Sequence, residues 1–396
     1  MKLSMRICIS MLCLSMALVF SVCSAWANTA ANTQIINNAT LSYNNGVSTQ
    51  VVTASVTVVV SLVPAAPAIT KGADQTTPYN GPATLLKNSF TVTATSNGPD
   101  TYNVTSAITG SSNTSGPTTT PETPTITLGA TVTTTGSSQT VLNVPSDGVS
   151  GSKVNGIQAT NTVVINGVAY TVSSVNNTGS GVATITISPG LPSAPAAGVL
   201  VAQQAVVLVD VTAGTLSAPG TNVVVSKSMT LTSTTNSGVT ATSGSVNDTY
   251  PSGTATLAKY VRNTTTPSGT GTPYVYNSAS YYQTGVIGKP GDILEYILVS
   301  TNSGTGPVTA ATVTDALPIT YVTFNSGAYG SAKDFTYVSD TGTVSYYTAA
   351  ADTDPATYVA TSGALTVYIG NGATSSAGGS IPGGAKELVL YQVKIN

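Results

Sequence analysis

Few side chains in this sequence could carry out acid–base or nucleophilic chemistry. None of its 396 residues is His, and its three Cys all lie within the first 27. Serine and cysteine triads need an imidazole base, and zinc and haem sites use His or Cys ligands. Asp292 and Glu295 are near neighbours, but an offset of three places them on opposite faces of a strand. We therefore predict no catalytic residue, no bound cofactor and no enzyme activity.

One acidic loop could bind a metal ion. Asp352 and Asp354, with Asp334 and Asp340 nearby, carry the hard oxygen atoms that calcium prefers. Surface β-modules often bind calcium in such loops, so these two residues are the calcium candidates. Their spacing matches no defined calcium loop, and a solvated turn is the alternative prediction.

The overall composition predicts strands. Charged residues make up only 7% of the chain, and Thr, Ser, Asn, Gly and Val dominate it. Thr and Val favour strands, and no long segment after the first two dozen residues has apolar residues at helical spacing. The predicted class is all-β. The formal net charge is −2, and a mildly acidic surface is a poor partner for nucleic acid.

Residues 1–27 have the features of a secretory signal peptide. Lys2 and Arg6 precede an apolar run, and Ala25-Trp26-Ala27 forms a small-x-small cleavage site. The apolar run is too short for a comfortable membrane span, and no second one follows. We predict a protein secreted to the cell surface of a prokaryote, with no transmembrane segment after cleavage and no Cys left for a disulfide.

The most informative stretch covers residues 288–318. It begins with a Lys-Pro-Gly-Asp turn at 289–292, and residues 293–300 are rich in β-branched and aromatic side chains. The sequence Asn-Ser-Gly-Thr-Gly at 302–306 breaks this strand, and residues 308–314 alternate small polar with apolar residues. The stretch therefore predicts two strands joined by a Gly-rich turn.

The order of these signatures resembles a known family. Pro-Gly-Asp, a strand with Tyr296, Thr-Asn-Ser-Gly and Val-Thr-Asp-Ala-Leu-Pro follow one another as in the Ig-like repeat catalogued as domain of unknown function eleven. That repeat occurs in secreted and surface proteins of bacteria and archaea. With the closing strand at 381–395, the resemblance covers residues 221–396. It implies an Ig-like sandwich at the cell surface and assigns no catalytic residue.

Turn-rich boundaries divide the rest of the chain. Residues 64–217 are predicted to form a first Ig-like sandwich, with a small β-barrel or β-meander inserted at about 139–201. A separate middle domain is the alternative for that insertion. Residues 218–396 are predicted to form the C-terminal Ig-like domain. The expected architecture is tandem Ig-like β-sandwiches with a small inserted β-unit.

Residues 28–63 are predicted to form an N-terminal β-hairpin around Asn44-Asn45-Gly46, a strong tight-turn signal. An isolated hairpin is marginal in water, so we expect its apolar face to dock. It could supply the first strands of the adjacent sandwich, or it could complete a neighbouring subunit's sheet as a donor strand. The interface candidates on its second strand are Val52, Val56, Val58 and Val60.

The strand over 293–300 is apolar on both faces. Its register places Leu294, Tyr296, Leu298 and Ser300 towards the core. The opposite face should then pack against loops of its own domain or against a partner. The interface candidates on that face are Ile293, Ile297 and Val299.

Tyrosine is concentrated in the C-terminal part of the chain, where 15 of the 19 lie between Tyr250 and Tyr391. Tyr provides large contact area at low entropic cost, which suits a binding surface, but it also fills β-sheet cores. The candidates for an adhesive surface are the adjacent pairs Tyr281, Tyr282 and Tyr346, Tyr347.

These observations predict a non-enzymatic structural protein of the cell surface. We expect it to form a homo-oligomer or polymer, as a subunit of an extracellular filament, sheath or surface layer that assembles by β-strand addition. The alternative is an adhesin-like binding module that recognises a glycan or another surface protein through Tyr-rich loops.

Overall fold

The computed structural model describes residues 29–396, so the predicted signal peptide at 1–27 lies outside it. The regular secondary structure of residues 29–396 consists of β-strands that pair in antiparallel sheets. The predicted all-β class is therefore confirmed. Among these residues, no helix has the length and apolar character needed to cross a membrane.

The N-terminal hairpin consists of β1 (Gln34–Asn44) and β2 (Thr49–Val59). The two strands pair along their whole length, from Gln34 opposite Val59 to Asn44 opposite Thr49. Gly46 lies in the left-handed region with φ of +90°, which a glycine adopts without strain. We call this hairpin, residues 34–59, the arm.

The next part of the chain, residues 68–251, contains β3 to β21. Their bounds are β3 (Ala68–Lys71), β4 (Leu85–Thr93), β5 (Asp100–Ser112), β6 (Thr114–Ser115), β7 (Thr119–Pro121), β8 (Thr125–Leu128), β9 (Ala130–Val132), β10 (Val141–Pro145), β11 (Ser150–Gly151), β12 (Lys153–Val154), β13 (Ile157–Gln158), β14 (Thr162–Ile165), β15 (Val168–Thr178), β16 (Val182–Ser188), β17 (Leu200–Thr212), β18 (Thr215–Leu216), β19 (Asn222–Ser233), β20 (Thr240–Thr242) and β21 (Val246–Pro251).

The first sandwich is formed by two sheets that pack face to face. One contains β3, β4, β7 and β17, and the other contains β5, β8, β19, β20 and β21. Their strands alternate buried apolar with exposed polar side chains, as expected for sheets with one buried face. The core between them includes Phe90, Val92, Tyr102, Leu128, Val209, Val225, Met229 and Tyr250.

The predicted insertion forms a meander of β10, β16, β15 and β14 that is continuous with the first sandwich. Strand β17 connects the two parts, because Ala202–Gln204 pairs with β14 and Gln204–Thr212 pairs with β4. The meander has a core of its own, which includes Leu142, Val144, Ile157, Ile165, Tyr170, Val172 and Ile185.

Strand pairing favours a different boundary for the C-terminal domain from the one at 217/218. Strands β19 and β21 follow that point, yet β19 pairs with β5 and β21 pairs with β19, and both contribute to the core of the first sandwich. The Ala-Pro-Gly segment at 218–220, whose sequence resembles a linker, thus forms a turn between strands of one sandwich. We propose that the boundary lies between Pro251 and Ala255.

The C-terminal part contains β22 to β33. Their bounds are β22 (Ala255–Asn263), β23 (Tyr274–Tyr276), β24 (Ala279–Tyr281), β25 (Ile293–Asn302), β26 (Val308–Ala316), β27 (Val322–Phe324), β28 (Phe335–Val338), β29 (Val344–Tyr347), β30 (Ala356–Val359), β31 (Ala364–Tyr368), β32 (Gly379–Ile381) and β33 (Lys386–Ile395).

The C-terminal sandwich also has two facing sheets. The larger follows the order β22-β25-β33-β28-β29, with β27 beside β33, and the smaller follows β30-β31-β26-β32. The predicted strand over 293–300 becomes β25, an interior strand of the larger sheet between β22 and β33. The core between the sheets includes Leu298, Val313, Phe335, Val367, Ile381, Val389 and Tyr391.

Glu387 on β33 provides a stability prediction. Its side chain is buried, and neither carboxylate oxygen has a hydrogen-bond partner. Burial raises the pKa of Glu387 above its ordinary value. The folded state therefore binds the proton more tightly than the unfolded state. Stability from this group is complete below the unfolded pKa of about 4.3 and falls as the pH rises towards the folded pKa.

We therefore expect Glu387→Gln to raise the free energy of unfolding at pH 7 by about 1–3 kcal/mol, because it removes an unpaired buried charge. The gain should shrink below about pH 4.3, where the wild-type carboxyl is protonated in both states. Urea unfolding of both proteins at several pH values measures this. Equal pH profiles for the two proteins would contradict it.

Candidate assembly interface

The base of the arm is attached to the first sandwich through Asn97, in the turn between β4 and β5. The buried Asn97 amide donates to the backbone oxygens of Thr29 and Ser61, each at 3.1 Å, and its Oδ1 accepts from the Val63 N–H at 2.7 Å. The Asn97 carbonyl accepts from the Ala31 N–H at 2.7 Å. One side chain therefore holds both the entry and the exit of the arm.

Beyond this base, β1 and β2 pair only with each other among the described strands. Directly opposite residues of an antiparallel pair lie on the same face, so the register defines two faces. We call the first the apolar face. Its members are Ile35, Asn37, Ala39, Leu41, Tyr43, Gln50, Val52, Ala54, Val56 and Val58.

The large apolar side chains of this face are exposed to solvent. Leu41 is 62% exposed and Val56 is 58% exposed, although side chains of these types are usually buried. Of the predicted interface residues, Val52, Val56 and Val58 belong to the exposed set, and Val60 lies just beyond β2 and is partly buried. Residues 29–63 contain no Asp, Glu, Lys or Arg. The arm is therefore an uncharged hairpin with an uncovered apolar face.

A groove in the C-terminal sandwich has matching chemistry. It lies where the outer strand β22 of the larger sheet faces β26 and β32 of the smaller sheet, and its volume is about 250 Å³. Leu257 on β22 is 54% exposed at its opening. None of its lining residues is charged; they are Ala255, Thr256, Leu257, Ser300, Val308, Thr309, Ala311, Thr312, Val313, Ile369 and Ile381.

The outer edge of β22 is open beside this groove. Within the described residues, β22 pairs with β25 on one side, and its other side makes only an isolated bridge from Val261 to Tyr282. Backbone groups between Ala255 and Tyr260 on that outer side therefore have no strand partner. Further along, Lys259 reaches across to Asp315 of β26 and closes the groove with a neutralised pair.

The predicted interface on β25 is covered by the chain itself. Ile297 is fully buried and Val299 nearly so, beneath the hairpin of β23 and β24 with Tyr281. Ile293 at the start of β25 is partly buried. The sequence left two alternatives for this face, loops of its own domain or a partner. In the structure a segment of the same domain covers it.

The same hairpin is held by a buried carboxylate. Glu295 accepts hydrogen bonds from the Tyr281 hydroxyl at 2.7 Å, from Gln392 at 3.0 Å and from Arg262 at 2.6 Å. Burial by itself would raise the pKa of Glu295, but the hydrogen bonds and the Arg262 charge outweigh it and lower that pKa. Glu295 therefore remains ionised and fixes Tyr281 over the sheet.

The four tyrosines predicted as an adhesive surface have different environments. Tyr281 is buried, Tyr282 and Tyr347 are partly buried, and Tyr346 is exposed. Tyr347 stacks on Tyr337 within the sandwich. Most of these four tyrosines therefore pack within their own domain.

The loop of Asp352 and Asp354 is held by its own hydrogen bonds. Asp352 accepts from the Thr348 hydroxyl and from the Asp354 N–H, and Asp354 accepts from the Thr348 and Ala356 N–H groups. Over residues 29–396, no cluster of three or more Asp, Glu, His or Cys side chains has a metal-binding arrangement. The carboxylate oxygens therefore act as turn acceptors here.

Sequence reasoning missed the groove and the open edge at Leu257. The groove brings together β22, β26 and β32, which are far apart in the chain. No local sequence pattern predicts that these strands lie together. The one available signal was that residues 255–261 form a short run of strand-favouring residues within the region that resembles the Ig-like repeat.

Comparison with known proteins gives weak similarity only. No family model matches the chain, and no curated protein matches it. A variant of BcpA, the major pilin subunit of Bacillus cereus, matches over 78% of this chain and 71% of its own, at 13% identity and a TM-score of 0.19. BcpA itself matches over 70% and 68%, at 14% identity and a TM-score of 0.16.

Proposed function

We propose that this chain is a secreted, non-enzymatic structural subunit that polymerises at the cell surface. In this proposal the arm of one copy adds to the open edge of β22 in the next copy, with its apolar face over the groove at Leu257. The observation that carries the proposal is the uncovered apolar face of the arm, which projects from a base fixed by Asn97.

Energetics support docking of the arm. Burying a Val or Leu side chain contributes about 1.5–3 kcal/mol when it is fully removed from water. Several such side chains lie on the apolar face, so even partial burial would stabilise an interface. The new backbone hydrogen bonds would satisfy the open edge of β22, which otherwise presents unpaired groups to solvent.

The chemistry of the two surfaces supports a second copy as the occupant. The arm has no charged residue, and the groove lining has none either, so neither surface would bury an unpaired charge on contact. Both partners are β-strands with free edges. The surfaces lie on opposite parts of the chain, at 34–59 and at 255–381.

Such a contact is heterologous, because the arm of one copy meets a different surface of the next. Heterologous contacts that do not close into a ring generate helical filaments. We therefore favour a filament over a sheath or surface layer. The predicted signal peptide and the resemblance of residues 221–396 to Ig-like surface repeats support an extracellular location.

Recognition of a glycan or another surface protein receives less support. That alternative relies on adjacent Tyr pairs, and Tyr281 and Tyr347 are packed against their own domain. We therefore propose assembly, not adhesion, as the main function.

Substitution at the groove tests the acceptor. We expect Leu257→Asp to raise the concentration needed for polymers by at least about 100-fold, equivalent to about 2.8 kcal/mol, because a docked arm would bury the new carboxylate. Sedimentation and light scattering over a concentration series measure this.

Val206→Asp is the matched control, because Val206 is exposed on β17 in the first sandwich, away from the groove. We expect both variants to keep the wild-type melting temperature, as surface substitutions usually change stability little. If Leu257→Asp polymerises at wild-type concentrations, β22 is not the strand that accepts the arm.

A further inference from the structure

Three strands of the first sandwich each carry a fully buried polar residue among the apolar residues of the core. The inward stripe of β19 contains Val223, Val225, Met229 and Leu231, with Lys227 at its centre. On β21, Asp248 shares its inward face with the buried Val246 and Tyr250, and on β4, Asn88 shares its inward face with the buried Phe90. Lys227, Asp248 and Asn88 are all 0% exposed.

These three side chains meet within the core. Lys227 Nζ donates to Asp248 Oδ2 at 2.5 Å, and Asn88 Nδ2 donates to Asp248 Oδ1 at 3.0 Å. The amine and the carboxamide therefore share one carboxylate. Asn88 lies on one sheet of the sandwich and the other two residues lie on the facing sheet.

The cluster is poorly suited to remain as an ion pair. A fully buried lysine and aspartate lose their hydration, and the Asn88 Oδ1 has no hydrogen-bond partner. Burial lowers the pKa of Lys227, an effect that the Asp248 contact opposes. Loss of a proton from the amine gives a nucleophile held beside a carboxamide in a site without water contact.

We propose that Lys227 and Asn88 form an intramolecular amide bond, with Asp248 as the group that transfers the protons. This modification is independent of the assembly proposed above. It would join β4 of one sheet covalently to β19 of the other.

The reaction balances without an oxidant or a co-reactant. Lys227 Nζ passes a proton to Asp248, and the Nζ lone pair forms a bond to Asn88 Cγ while the carbonyl electrons move to Oδ1. Rotation of the Asn88 side chain about its Cβ–Cγ bond exchanges the positions of Oδ1 and Nδ2, which are assigned from hydrogen bonding. In the rotated form Oδ1 faces the protonated Asp248.

Collapse of the tetrahedral centre then breaks the Cγ–Nδ2 bond. Asp248 gives its proton to the leaving nitrogen and accepts one from Nζ. The products are a secondary amide and one ammonia, and ammonia leaves with the remaining proton as ammonium while Asp248 returns to its carboxylate. The buried charge of Lys227 is thereby replaced by a neutral amide.

The bond would give this chain a covalent link that cysteine cannot provide, since the three Cys lie within residues 1–27. It would fix the two sheets of the sandwich to which the arm is attached. A pulling force that enters through the arm would then act on covalently joined sheets.

Accurate mass measurement of the purified protein tests the proposal. We expect the folded wild-type chain to be lighter than its sequence by about 17 Da, the mass of ammonia. Tryptic digestion should yield residues 88–153 joined to residues 154–259 through Asn88 and Lys227. The joined peptide is required, because a succinimide at an Asn-Gly pair loses the same mass without joining two peptides.

Variants identify the reacting groups. Asn88→Ala, Lys227→Met and Asp248→Asn should each abolish the joined peptide, and circular dichroism establishes whether each is folded. Lys259→Met is the matched control: Lys259 also pairs with an aspartate, Asp315, but a tyrosine hydroxyl and no carboxamide contacts that carboxylate. This control should keep the full mass loss.

Two results with the wild-type protein would overturn the proposal, whether or not the variants fold. A folded wild-type chain of unmodified mass would show that the three groups remain an ion pair with an amide neighbour. A loss of about 18 Da, the mass of water, with Lys227 joined to Asp248 would show that the carboxylate is the acceptor and that Asn88 is not.

Discussion

Replacing Val52 and Val56 by Asp is expected to give a folded protein that no longer polymerises. Both side chains lie on the apolar face of the arm and are exposed, so the double variant should fold with an unchanged melting temperature. In a polymer the two new carboxylates would be buried against an uncharged groove. Such burial costs several kcal/mol per charge, which should move assembly beyond any accessible concentration.

The opposite face of the same strand supplies the control. Val51 and Val59 are exposed to a similar degree, and they point away from the apolar face because side chains alternate along a strand. Val51→Asp with Val59→Asp adds the same charge to the same arm. We expect this control to polymerise. If both double variants lose assembly equally, the apolar face has no special role in the contact.

Mixing two inactive variants should restore a limited assembly. The arm variant, Val52→Asp with Val56→Asp, keeps an intact groove, and Leu257→Asp keeps an intact arm. A heterologous contact predicts that each variant alone is monomeric and that their mixture forms one-to-one dimers, because one working arm meets one working groove. Analytical ultracentrifugation with one partner fluorescently labelled measures the species formed.

The mixture also distinguishes this arrangement from symmetric pairing of two arms. If arms paired with arms, Leu257→Asp would polymerise or dimerise alone, and the mixture would add nothing. Dimers that form only in the mixture therefore support the pairing of arm and groove. A monomeric mixture would contradict it.

Local chemistry explains which parts of the structure were predictable. The hairpin turn at Asn44-Asn45-Gly46 is specified by residues that tolerate left-handed backbone, and the two flanking strands alternate, so the arm could be predicted from a short stretch. The two strands at 293–302 and 308–316 were also predictable from their own residues and the Gly-rich turn between them, although they belong to different sheets. In both cases each strand lies within about a dozen residues of the turn residues that define its end.

Long-range pairing explains what was missed. The boundary that we propose between Pro251 and Ala255 has no signal in the sequence, because it depends on the pairing of β19 with β5 across the Ala-Pro-Gly turn at 218–220. The cover over Ile297 and Val299 comes from a hairpin that begins about twenty residues earlier. The groove at Leu257 lies between three strands of two sheets, and its shape has no signature in any one of them.

One missed signal was available in the sequence. Lys227 stands at the centre of an alternating apolar stripe, where a lysine is rarely buried without a partner. Asp248 and Asn88 occupy equivalent inward positions on their own strands. A search for polar residues at inward strand positions would have found these three, although only the fold brings them together.

Electron microscopy of the purified chain from residue 28 onward, with light scattering over a concentration series, tests the central claim most directly. We predict filaments that appear with rising concentration and that are absent when residues 34–59 are replaced by a short Gly-Ser linker. A folded wild-type chain that remains monomeric at every concentration, with its arm intact, would contradict assembly through the arm.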